Sequence, residues 1–128
     1  MASLLWLSTI SSLSIKKLMA DRTRTKDEVF TPYELCLQMV RSIPEEKLRD
    51  PTTTYLDNSC GDGNFLVALL QVLTEEYGHD RDHVVDHRLY GIDLMADNIE
   101  AARSRLGVPK AHPHYVCHDA LTYDYSFS

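Results

Sequence analysis

This 128-residue sequence has no CxxC pair, no long uncharged apolar run and little positive charge in its second half. Its three cysteines, Cys36, Cys60 and Cys117, are odd in number and widely separated, which argues against a disulfide framework and for a reducing, cytoplasmic setting. The uncharged stretch from Ala2 to Ile15 falls short of the ~20 residues a membrane span needs, and no basic residue precedes it as a secretory signal requires. No membrane association is expected. Lysine and arginine number eight against seven acidic residues over 1–50, but five against twelve over 51–128. A nucleic-acid binder normally presents a basic face, because neutralising phosphates and releasing counterions supplies most of its sequence-independent affinity. Only "KKLMADRTRTK" (16–26) could serve, so contact with DNA is expected only through a partner.

What is present suits one globular domain: 44% of residues are hydrophobic and 25% charged. A chain of this length holds only about half of a large doubly wound α/β fold. Residues 1–20 read as a frayed or helical N-terminal extension, or as a docking helix presenting Leu4, Leu5, Trp6, Ile10, Leu13 and Leu18. Residues 21–128 form the domain.

From Thr31 the pattern is helical, with Pro32 suited to the first turn and Leu35, Met39, Val40 and Ile43 spaced for one face. Pro44 ends that helix, and "EEKLRDP" reads as a polar connector. "TTTYLD" (52–57) predicts the first strand. A helix follows from about Asn64 to Tyr77, with Phe65, Leu66, Leu69, Leu70 and Leu73 inward and Gly78 as its C-cap. "HDRDHVVDH" (79–87) reads as a polar loop, 88–93 as a second strand, 96–107 as a helix closed by Gly107, and His114 to Cys117 as a third strand. Strands alternating with helices imply a parallel sheet with right-handed crossovers, the first half of a Rossmann-like fold in order 3-2-1.

The bend "DNSCGDGNF" lies where the first strand meets its helix. Gly61 and Gly63 would let a ligand approach the backbone there, next to the free N–H groups of a helix start. A dinucleotide site wants a third glycine where Leu66 stands, which weakens the nicotinamide reading. Asp93 ends the second strand, where a carboxylate can accept bonds from both ribose hydroxyls of an adenosine-type ligand. It lies 32 residues past Gly61 rather than the usual ~20, the excess being the insertion 79–87.

"VFTPYELCLQMV", "YLDNSCGDGNFLVALL", "LYGIDLMADNIEAARSRL" and "VCHDALTYDYSF", in this order over about residues 28–127, resemble the N-terminal half of the S-adenosylmethionine-dependent DNA methyltransferases that modify the amino group of adenine. The resemblance implies a class I methyltransferase-type sheet, truncated after about three strands, with S-adenosylmethionine as cofactor. By that resemblance Phe30, Thr31 and Pro32 hold the methionine end. Asp57, Cys60, Gly61 and Gly63 wrap the methionine and ribose. Asp93 takes the ribose hydroxyls with Leu94 beside it. Asp119, followed by Ala120 and Leu121, accepts a bond from the adenine amino group, with Phe65 packed nearby. Independently, a cationic sulfonium suits a carboxylate-rich pocket better than a pyrophosphate does.

The family's catalytic signature, Asn or Asp followed by Pro-Pro and an aromatic, does not occur; Asp50-Pro51 is followed by Thr52. Methyl transfer to an exocyclic amine needs acceptors that aim its lone pair and an aromatic face for the flipped base. No catalytic residue is assigned, and the chain is expected to be inactive alone. The first strand would be an open edge, so a homo-oligomer or a second chain supplying the catalytic half is expected. The other readings are a non-catalytic module that binds or sequesters S-adenosylmethionine, and a degenerate oligomeric remnant. His79, His83 and His87 fall in the polar loop, and His112, His114, Cys117 and His118 straddle a strand, so a zinc site is not expected. Cys60 reads as packing, Asp62 and Asp124 as solvated, and "TYDYSF" (122–127) as a segment folding back over the sheet edge.

Overall fold

A computed structural model describes residues 31–128 and, of the N-terminal segment, the backbone of one short strand. In chain order the elements are β1 (Leu4–Trp6), α1 (Tyr33–Arg41), α2 (Glu45–Arg49), β2 (Thr54–Asp57), α3 (Asn64–Gln71), α4 (Arg81–His83), β3 (Leu89–Asp93), α5 (Ala96–Leu106) and β4 (Tyr115–Cys117). The three strands expected from sequence, β2, β3 and β4, pair in parallel in that order. The result is a small α/β domain with a parallel sheet, consistent with a partial Rossmann-like fold.

The edge of β2 expected to be open is occupied. Leu4–Trp6 pairs with it in parallel, Leu4 opposite Thr54 and Trp6 opposite Leu56. These residues were expected in a frayed or helical extension and form a strand instead; Ile10, Leu13, Leu18 and Phe30 lie outside the described residues.

Strands that follow one another without reversal place their connecting helices on one face. There Phe65, Leu66, Leu69, Leu70 and Leu73 pack with Tyr55, Leu89 and Tyr115 in one buried cluster. Each such apolar side chain contributes about 1.5–3 kcal/mol when fully buried. Gly91 lets α3 close onto the sheet, since a Cβ there would stand 2.8 Å from Leu66 Cδ1. Helix α1 joins through Cys36, Leu37 and Val40. Its buried seam is therefore rotated from the expected one: Leu35, Met39 and Ile43 are only half-buried. The Tyr33 hydroxyl donates to Gln71 Oε1 and fixes α1 against α3.

Two connectors expected to be polar loops are ordered. Glu45–Arg49 is helical because Leu48 is buried, and 81–88 forms α4 and a π-helical turn that bury Val84 and Val85. A second π-helical turn, Val72–Glu76, extends α3 before Gly78, whose φ of 72° ends it. Arg88, 1% exposed, donates to the carbonyls of Thr53 and Asp50 at 2.8 Å each and ties the turn before β2 to the start of β3. Burial lowers the pKa of its guanidinium.

The opposite face carries Leu56, Tyr90, Ile92 and His114. Tyr90 stacks on His114 with centroids 4.0 Å apart, and Phe127 meets Tyr90 edge-on at 4.7 Å. The "TYDYSF" segment thus covers part of a sheet face rather than its edge, with Tyr125 and Phe127 at positive φ. No helix among the described residues is long and apolar enough to cross a membrane.

Candidate functional site

In a parallel sheet every strand ends on the same side, so Asp57, the last residue of β2, and Asp93, the last of β3, stand on one rim. Asp119 follows β4 by two residues. It is held to the same rim because the next-door His118 N–H donates to the Asp93 carbonyl at 3.0 Å and Cys117 Sγ donates to the Leu94 carbonyl at 3.4 Å.

The glycine bend is built against this rim. Cys60 N–H donates to the Ile92 carbonyl at 2.9 Å, joining the bend to β3. Gly61 and Gly63 sit at φ 54° and 95°, a left-handed backbone that costs about 1–2 kcal/mol for a residue with a Cβ. At Gly63 there is also no room: a Cβ would stand 3.0 Å from Ala102 Cβ on α5. Asp57, fully buried, accepts from Ser59 N–H at 3.0 Å, which starts the bend.

Asp93 does more than face outward. Its Oδ1 accepts from Gly61 N–H and its Oδ2 from Met95 N–H and Asn98 Nδ2, each at 3.0 Å, and the residue is 9% exposed. The carboxylate is therefore a tie between the bend, the turn after β3 and the first coil of α5. Asn98 was not singled out in the sequence; its signal is an amide one helical turn inside α5, where its side chain reaches back past the N-terminus.

Thr31 reaches the bend from the front. Its carbonyl accepts from Asn64 Nδ2 at 2.7 Å, and Asn64 is the first residue of α3, directly after Gly63. Thr31 is 2% exposed, and its Oγ1 is buried without a hydrogen-bond partner among the described residues. Pro32, exposed, caps α1 and its carbonyl accepts from Cys36 N–H. Arg105, also missed in the sequence, donates to Asn64 Oδ1 at 2.8 Å and lies 3.3 Å from Asp62 Oδ1. Asp62 is thus ion-paired rather than simply solvated, and it locally neutralises a cation that reaches the bend.

The remaining positions divide in two. Leu94, Met95 and Leu121 are exposed apolar side chains on the rim, Leu121 94% exposed, with Ala120 half-buried between Asp119 and Leu121. Asp119 is exposed and its Oδ1 accepts from Leu121 N–H at 2.9 Å. Cys60 and Phe65 are buried at 4% and 3%. The Cys60 thiol faces Gly91 in the core, so this cysteine meets the rim through its backbone alone, and Phe65 packs in the core cluster. Among the described residues no three His, Cys, Asp or Glu converge to hold a metal. A hollow of about 400 Å³ lies elsewhere, lined by Thr54, Tyr90, His114, Tyr125, Ser126 and Phe127 on the opposite sheet face.

No protein-family model and no curated protein matches this chain.

Proposed function

We propose that this chain is the S-adenosylmethionine-binding portion of a DNA adenine-specific methyltransferase, a class I methyltransferase-type unit that needs a second chain for catalysis. The observation that carries the reading is the gathering of four separate sequence segments at one rim: Thr31 against Asn64, the Gly61–Gly63 bend, Asp93 bonded to Gly61, and Asp119 tethered beside Asp93.

The residues fit the cofactor's chemistry. The buried Thr31 Oγ1 has no partner among the described residues and can donate to the methionine carboxylate. Gly61 and Gly63 leave the bend's backbone without side chains above it, open to close approach by the cofactor. Asp57 and Asp93 place negative charge beside a sulfonium, an attraction strengthened by their burial. Asp119 has an exposed carboxylate for an adenine amino group, flanked by Leu94 and Leu121 as apolar surfaces for the ring. When bound, S-adenosylmethionine supplies an electrophilic methyl group; this chain's residues bind and orient it.

The test is calorimetric titration of S-adenosylmethionine into the full chain and into Asp119→Asn. The substitution keeps the Oδ1 acceptor for Leu121 N–H and turns an NH2 toward the adenine amine. Losing that bond weakens binding by about 1–2 kcal/mol, roughly 5–30-fold. Methyl transfer to adenine-containing DNA by this chain alone would refute the need for a partner. No saturable binding would refute the reading.

A further inference from the structure

In a doubly wound sheet the strand order is 3-2-1-4-5-6, so the strand that comes after the third crosses to the far side of the first. In this chain the first three strands of the unit are β2, β3 and β4, and the fourth position, beside β2 and parallel to it, is held by Leu4–Trp6. That strand comes before the unit in the chain, not after it. It is three residues long, pairs along its backbone with β2, and has no strand on its outer side among the described residues. It also stops short of the candidate site: its register covers Thr54, Tyr55 and Leu56 and leaves Asp57 unmatched.

We infer that the outer edge of β2 is a strand-docking surface for a second polypeptide and that Leu4–Trp6 is its built-in, exchangeable occupant. This rests on the reading that a partner chain completes the fold. The partner segment is an extended apolar strand parallel to β2, because central strands of parallel sheets are buried on both faces and the ladder supplies the affinity. It is longer than three residues, since it must outcompete a tethered strand whose effective concentration is in the millimolar range. Meanwhile β1 guards an edge that would otherwise pair indiscriminately.

The test uses the full chain and its Leu4→Pro/Leu5→Pro variant. Neighbouring residues of a strand point their N–H groups to opposite sides, so one of the two prolines removes a ladder donor. A fluorescent peptide of residues 1–12 is the probe, read by anisotropy, with amide exchange followed at 54–57. The variant is expected to bind the peptide at least tenfold more tightly than the intact chain, and to regain protection on binding at those amides of 54–56 that point toward β1, with Leu66–Leu70 protected throughout. Equal binding to both chains, or binding to neither, overturns the inference. If the variant loses protection at Leu66–Leu70, the intact chain decides. Its amides of 54–56 that point toward β1 must exchange by local opening, faster than those of 90–92, and equally slow exchange overturns the inference. Peptide binding without cofactor binding would leave the docking edge and refute the proposed function; the converse would refute the docking edge alone.

Discussion

Replacing Asp93 with asparagine tests whether this carboxylate is a structural tie before it is a ligand contact. Three hydrogen bonds converge on it: Gly61 N–H on Oδ1, Met95 N–H and Asn98 Nδ2 on Oδ2. Hydrogen bonds to a charged group contribute about 1.5–3 kcal/mol, and an orphaned buried donor costs about 1–3 kcal/mol. Asparagine has one acceptor oxygen. Set in the Oδ2 position, it keeps the bonds from Met95 and Asn98 in weaker, neutral form and points its NH2 at Gly61 N–H, donor against donor. The expected destabilisation is about 2–4 kcal/mol, which for a chain of this size lowers Tm by on the order of 10 °C. Urea unfolding followed by far-ultraviolet circular dichroism measures it, with the m-value unchanged. A loss below about 0.5 kcal/mol would refute the tie, because an exposed carboxylate with no such role behaves that way. The same reasoning makes Asp93 a poor probe of ribose recognition, since its loss would loosen the bend whatever the ligand does; Asp119, exposed and outside the core, separates binding from folding.

Gly63→Ala should cost about 2 kcal/mol in urea unfolding, from the left-handed backbone and the approach to Ala102; a neutral substitution would mean that the bend relaxes. Tyr115→Phe removes the buried hydroxyl that donates to the Val85 carbonyl at 2.7 Å, and should destabilise by about 1–2 kcal/mol in the same assay. Burial holds the His114 imidazole below its ordinary pKa, against the opposing effect of its bond to the Leu89 carbonyl. The unfolded chain therefore binds this proton more readily than the folded one. Its stability contribution is complete above about pH 6.5 and declines as pH falls below that value. His114→Phe should flatten the fall in Tm between pH 6.5 and 5, and an unchanged slope would count against that assignment.

The β2–α3–β3–α5–β4 unit was legible because glycines punctuate it and α3 is densely apolar: Gly61 and Gly63 open α3, while Gly78 and Gly107, both at φ 72°, close their helices. The missed elements are short. Glu45–Arg49 and 81–88 each bury only one to three side chains, so tertiary contact rather than periodicity makes them helical. Leu4–Trp6 was expected in a frayed or helical extension, because a short apolar run has no period that marks it as a strand. At the site, the alignment of Asp57 and Asp93 followed from their places at strand ends. The partners of Asp93, by contrast, depend on how the bend folds over β3, and Arg105 reaches Asp62 and Asn64 from α5, 43 and 41 residues away in sequence.

The role proposed for this rim of the sheet is recognition of a sulfonium nucleoside. The most direct measurement is the change in amide chemical shifts of the full chain on titration with S-adenosylmethionine. Saturable changes should cluster at Thr31, Ser59–Gly63, Leu94–Met95 and Asp119–Leu121. Changes centred instead on Thr54, Tyr90, His114 and Phe127, or no saturable change at all, would contradict it.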